Sequence, residues 1–170
     1  MCDSAKGFAI QMRKRSVETI ENNAGCYVLV LQLTRLTKVT YGRNHKRSFQ
    51  FDAGWYVYVG SAMRGVRTRL MRHQRKTSDG KKLHWSIDYF REYAELHEVW
   101  YTFTEDPGLE HVWAQKFDSL PTFTIPIPGF GGSDCKSGCP AHFFRAPDRP
   151  VPAVLDCDPT VQSAVLVQGQ

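Results

Sequence analysis

Two short segments, GCYVLVLQL at 25–33 and WYVYVG at 55–60, alternate their side chains with a period of two. Tyr27, Leu29, Leu31 and Leu33 fall opposite Val28 and Val30 in the first; Trp55, Val57 and Val59 fall opposite Tyr56 and Tyr58 in the second. Alternation among β-branched and aromatic residues is the pattern of a strand, and turn chemistry close by, with Gly54 opening the second segment, predicts antiparallel pairing. The period then changes. After Gly65, VRTRLMRHQRK (66–76) sets Val66 and Leu70 one turn apart, as in a helix. HWSIDYFREYAEL (84–96) repeats this with Ile87, Phe90 and Ala94, HEVWYTF (97–103) returns to strand, and LEHVWAQKFDSL (109–120) carries Leu109, Val112, Trp113, Lys116 and Phe117 at helical spacing. The expected fold is α+β: a small, mainly antiparallel three-stranded sheet (25–33, 54–60, 97–103) flanked by helices near 63–76, 84–96 and 108–119. The stretch 35–47 is polar and basic, an exposed connection, and SFQF (48–51) suits a short strand. Pro and Gly after residue 121 predict an irregular, cysteine-containing C-terminal lobe. The expected organisation is an N-terminal arm (1–22), one domain (23–146) and a loosely attached tail (147–170).

The 170 residues suffice for one domain, and no stretch approaches the ~20 apolar residues of a membrane-spanning helix. The apolar part of MCDSAKGFAIQMRKRS is too short for a secretory signal. Five cysteines, at 2, 26, 135, 139 and 157, argue for a reducing compartment rather than a disulfide framework, so a cytoplasmic location is expected. Charge is unevenly spread: residues 1–82 hold 17 Lys/Arg against 5 Asp/Glu, and residues 83–170 hold 5 against 12. A basic first half suits a polyanion, nucleic acid above all. Arg64, Arg67, Arg69, Arg72, Arg75, Lys76, Lys81 and Lys82, with only Asp79 opposing, form a run suited to salt-sensitive phosphate contacts, and Arg13–Arg15 and the 35–47 loop can widen it. No base-reading module is evident, so sequence specificity is not expected.

Chemistry beside that charge rests on a set in fixed order: Gly25-Cys26-Tyr27, Tyr58-Val59-Gly60, Arg69 with His73 one turn on, and Glu110 near a helix start. Phosphodiester hydrolysis needs an activated water, a cation at the scissile phosphate and help for the leaving oxygen. Glu110 can hold Mg²⁺ or Mn²⁺, which take few protein carboxylates. Arg69 can fork onto phosphate oxygens. Tyr27 and Tyr58, on neighbouring strands, can orient water or phosphate.

This order resembles the GIY-YIG nuclease superfamily, and YVYVGSA (56–62), RHQR (72–75), HWSIDYF (84–90) and FGGSDCKSGCPAHFF (130–144) resemble its small Uri-type branch, over roughly residues 24–145. The resemblance implies a metal-dependent endonuclease acting on DNA, in repair or processing of branched or damaged DNA. One tyrosine prepares the attacking water, with Tyr58 preferred, while Arg69 and His73 handle phosphate charge and Glu110 holds the metal. Gly60 is expected to ease the turn into the basic helix and admit the phosphate. Cys26 and Val59 stand where the superfamily has isoleucines and should point into a core. The interval from Gly60 to Arg69 is one residue longer than in the excision-repair relatives, which makes Arg67 a rival to Arg69, and Ser61 replaces their lysine.

Two flanking motifs stay open. His84 and Asp88 share a helical face with Trp85 beside them. They either border the site and position DNA or a second water, or Asp88 anchors His84 or caps a loop inside a packed corner. Cys135, Cys139 and His142 have zinc-ligand character, with His111, Cys26 or Cys157 as spare fourth ligands. The plainer alternatives are a loop docked by buried cysteines, with Asp134 bonding backbone, or an oxidised Cys135–Cys139 pair. Rival functions are a non-catalytic nucleic-acid-binding module of the same fold and a zinc-stabilised interaction domain. With no fused recognition domain, a separate targeting protein is a candidate partner.

Overall fold

The computed structural model describes residues 16–132, 135–155 and 160–166. Its centre is the expected antiparallel trio: β1 (Gly25–Leu33) lies between β4 (Gly54–Ala62) and β5 (Glu95–Phe103). Two strands that the sequence reading did not separate from the irregular lobe and tail extend the sheet. They are β6 (Phe143–Ala146) beside β4 and β7 (Gln162–Val165) beside β5, giving the order β6-β4-β1-β5-β7. The tail is therefore docked where it is described, with Leu155 and Ala164 buried. Cys2, Arg13–Arg15, Asp134 and Cys157 lie outside the described residues.

Both faces of the sheet are covered, which is why β1 is apolar on both sides. Tyr27, Leu29, Leu31 and Leu33 pack with Leu70, Ile87 and Phe90 of helices α1 (Val66–Gln74) and α2 (Ser86–Arg91). Cys26, Val28, Val30, Val57 and Val59 pack against Trp113 and Phe117 of α3 (Leu109–Ser119), so Cys26 and Val59 do face a core. Helix α2 stops well short of residue 96 because the chain from Glu95 is drawn into β5 beside β1. Arg91 seals that corner, donating to the carbonyls of His73, Gln74 and Ala94.

The 35–47 stretch is not a plain connection. β2 (Thr37–Tyr41) and β3 (Arg47–Phe51) form a hairpin, pinned by aromatic contacts of Phe51 with Phe90 at 4.9 Å and Phe130 at 5.7 Å between ring centroids. Such pairs contribute about 0.5–1.5 kcal/mol each beyond their burial, enough to hold a two-stranded ribbon in place. The segment before β1 is also anchored. Val17 and Ile20 are buried, Asn22 Oδ1 accepts the Thr68 N–H and the Asn23 carbonyl accepts that of Val66. These bonds satisfy first-turn donors of α1, the helix that carries Arg69 and His73.

Candidate active site and metal centre

Pairing of β1 with β4 sets Tyr27 opposite Gly60 and Leu29 opposite Tyr58, so the two tyrosines sit diagonally on one face with ring centroids 6.3 Å apart. The Tyr27 ring crosses over Gly60. A Cβ there would lie 2.5 Å from the Tyr27 hydroxyl, so the glycine makes room for the phenol. That replaces the expected role of admitting phosphate. Tyr27 Oη is hydrogen-bonded to His73 Nε2 at 2.9 Å. His73 is fully buried, which with the Lys81 charge pushes its pKa well down and keeps it neutral. Burial and the neighbouring Tyr58 likewise raise Tyr27 well above the ordinary phenol value. His73 does not line the cleft; on the buried face of α1, it is bonded to Tyr27 and is closed off from a ligand in the cleft.

Both tyrosines open on a cleft of about 780 Å³ that Arg69, Ser61, Glu110, His84 and Trp85 also line. The Arg69 guanidinium lies 4.5 Å from the centre of the Trp85 ring, with that of Arg72 at 5.1 Å from the same ring. Trp85 is an exposed aromatic at the rim. Glu110, in the first turn of α3, reaches the cleft past the end of β4. His142 Nδ1–H donates to its Oε1 at 2.7 Å, and Ser61 also bonds it. Burial would raise the Glu110 pKa, but these two bonds outweigh it and hold the carboxyl ionised. Among the described residues lining the cleft, Glu110 is the one acidic side chain. Arg69, and not Arg67, faces it.

The basic run does not form one surface. Arg72 and Lys81 are ion-paired with Asp88, whose carboxylate also accepts the N–H groups of His84 and Trp85. Asp88 and Lys81 are buried, so the expected nucleic-acid role fails for both: desolvating a charge is tolerable only where it is paired. Asp88 is the anchor of the packed corner, and His84, Trp85 and Ser86 of that motif reach the cleft. Arg75 lines a separate hollow, while Arg64, Arg67, Lys76 and Lys82 line neither. Besides Arg69, the cations that line the cleft come from the hairpin: Arg43, Lys46 and Arg47. The basic character of 35–47 was the signal for them, but only the hairpin fold aims them.

A second constellation adjoins Glu110. His111, Cys135, Cys139 and His142 bring their ligand atoms within 4.8 Å of one another, an arrangement able to hold a metal ion. The His111 Nδ1 atom lies 3.3 Å from Cys135 Sγ and 3.6 Å from Cys139 Sγ. Neither cysteine is buried, contrary to the docked-loop expectation, and both are free thiols. Burial would raise Cys135, but backbone and His142 hydrogen bonds bring its pKa down to about 6; burial and the Cys135 charge push Cys139 up to about 11. Of the three spare ligands, His111 completes the set, and Cys26 lies in the core under α3.

A family model described as a domain of unknown function, DUF123, matches residues 26–162. The chain belongs to this family. No curated protein and no solved structure shows significant similarity to it. The matched span of the DUF123 domain takes in every element that lines the cleft, from Tyr27 through Glu110 to the loop at 127–131, and all four residues of the Cys/His cluster. No helix among the described residues of the domain is long and apolar enough to cross a membrane.

Proposed function

We propose that the DUF123 domain is a GIY-YIG-type, divalent-metal-dependent endonuclease that hydrolyses phosphodiester bonds in DNA. The observation that carries this reading is the convergence of Tyr27, Tyr58, Arg69 and Glu110, from four separate elements, on one cleft. Arginines and a lysine around a single ionised carboxylate suit a phosphate held beside a cation. Glu110 fits a hard divalent ion: it is ionised, partly open to the cleft, and Mg²⁺ or Mn²⁺ needs only one or two such ligands besides water. Bound there, the ion would supply positive charge at the scissile phosphate.

The remaining roles belong to the chain. Tyr58, less buried than Tyr27, orients the attacking water at the floor of the cleft. Tyr27 keeps its place through the neutral His73, which holds the phenolic oxygen at a fixed point without adding a charge. Arg69 presents its guanidinium along the Trp85 ring and can give two parallel hydrogen bonds to phosphate oxygens as negative charge builds. Arg43, Lys46 and Arg47 draw the backbone of the nucleic acid into the cleft, and Trp85 offers a base a stacking platform. Targeting by a partner protein and a role in repair belong to the same proposal.

The test is cleavage of supercoiled plasmid and of branched, flapped and single-stranded oligonucleotides with Mg²⁺, Mn²⁺ or chelator. Wild type is run beside Glu110→Ala and Arg69→Ala. Metal-dependent cutting lost in both folded variants is the expected result. Cutting that survives Glu110→Ala, or no cutting at all, moves the assignment to a binding module of the same fold.

A further inference from the structure

We infer that His111, Cys135, Cys139 and His142 form a structural zinc site, and that zinc there fixes the Glu110 carboxylate in the cleft through His142. The ligands come from two places remote in sequence: the first turn of α3, which gives His111, and the segment that runs into β6, which gives Cys135, Cys139 and His142. A tetrahedron with zinc bonds of ~2.0–2.3 Å has ligand-to-ligand edges of about 3.3–3.8 Å. The two His111–sulfur distances, 3.3 and 3.6 Å, fall on that scale. Two thiolates and two imidazoles suit zinc and exclude Mg²⁺ or Ca²⁺, which take oxygen ligands. Four protein ligands also close the site, which is the mark of a structural rather than a catalytic metal.

His142 carries the second, independent observation. Its side chain is 1% exposed, Nδ1 lies 2.7 Å from Glu110 Oε1, and the ring is also hydrogen-bonded to Cys135, so one buried imidazole faces both the carboxylate and a thiol. With Nε2 on the metal and Nδ1–H on Glu110, the geometry is a carboxylate–histidine–metal series, in which the outer carboxylate fixes the ring and strengthens the ligand. The influence runs both ways. Glu110 Oε1 is held by His142, Ser61 also bonds the carboxylate, and Glu110 still lines the cleft. His111 follows Glu110 directly in α3, so ligand and carboxylate share one helical turn. The loop that bears the cysteines also walls the cleft: a Cβ at Gly131 would lie 2.8 Å from the Tyr58 ring, and one at Gly132 would lie 2.8 Å from the His142 ring. Zinc would therefore pin the wall behind Tyr58 and the carboxylate together.

The zinc site stands by itself; its positioning role rests on the nuclease reading. The test uses the full chain purified without chelator. Elemental analysis should give one zinc per chain, and Co²⁺ exchanged into the site should give the visible bands of a tetrahedral thiolate complex. Both should be lost in Cys139→Ser and in His111→Ala. The decisive variant is Glu110→Gln, which should still bind Zn²⁺, but roughly 10–100-fold more weakly in competition with a chromophoric chelator. Substoichiometric zinc, or a Cys135–Cys139 disulfide in the untreated protein, would overturn the site. Unchanged zinc affinity in Glu110→Gln would overturn the coupling. These are binding measurements, so a chain that passes them and yet cuts no DNA upholds the inference while it removes the nuclease reading.

Discussion

Asp88 and Glu110 are both carboxylates withdrawn from solvent, and the protein uses them in opposite ways. Asp88 is 0% exposed and saturated: Lys81 sits on one oxygen, and Arg72 and the N–H groups of His84 and Trp85 share the other. Glu110 is 18% exposed, with His142 on one oxygen and the cleft beside it. Burial opposes ionisation at both, and in both cases the partners win, so both are charged. What separates them is access. A carboxylate enclosed by cations and N–H groups of its own chain is an anchor; one that keeps an opening on a cleft is available to a ligand.

Removing the anchor should have the largest effect. Asp88→Ala strands the buried Lys81 ammonium, and breaking such a pair costs about 3–5 kcal/mol. Urea unfolding is the measurement; a loss below about 1 kcal/mol would mean that Asp88 is no more than a surface charge. Glu110→Gln should invert this pattern. It keeps the shape but weakens the bonds from His142 and Ser61, so stability should fall by about 1–3 kcal/mol, less than for Asp88→Ala. Its metal-dependent cutting should drop about 100-fold or more, as when one charge-stabilising group is taken from a transition state. Equal effects of the two substitutions on stability would erase the distinction between anchor and site. Arg69→Lys is a smaller step. It retains the charge but loses the fork and the flat packing on Trp85, so cutting should fall about 10-fold with binding salt-dependence nearly unchanged.

The same contrast explains what could be read from sequence. The central strands and three helices announce themselves because a period of two or 3.6 is local, and Tyr27, Tyr58, Arg69 and Glu110 stand on those elements. Partner identity is not local. Nothing in HWSIDYF says that Asp88 will meet Lys81 and Arg72 and be used up, and Lys81 in a basic run looks like its exposed neighbours. His111 is 24 residues before Cys135, too far for any ligand spacing to single it out; it qualifies only because α3 starts beside the loop. β6 and β7 are four residues each, set among prolines and glycines, and exist because the edges of a preformed sheet can take them. The hairpin was legible only in part: SFQF reads as the short strand it is, but its partner TKVTY sits unmarked in a polar, basic stretch, and the place of the pair over the cleft is fixed by Phe51 packing on α2.

His73 links the two regions, since its ring holds Tyr27 at the cleft while its charge state feels Lys81 and Asp88 in the sealed corner, as well as Arg69 and Arg72. Burial, first, and then Lys81 depress its folded pKa far below the unfolded value of about 6.5. As pH falls below that value the unfolded chain takes up a proton that the native chain refuses. His73 therefore favours unfolding there, with a slope of up to about 1.4 kcal/mol per pH unit until the folded pKa is reached. Glutamine at this position can bond to Tyr27 but cannot titrate. Wild type should thus be the more stable at pH 8, and its lead over His73→Gln should shrink by up to about 2 kcal/mol at pH 5. His142, raised by Glu110 against its burial, pulls the other way in both proteins and cancels from the difference. A lead that stays constant between pH 8 and pH 5 would mean that His73 protonates freely in the native state, and then it could not serve Tyr27 as an uncharged support.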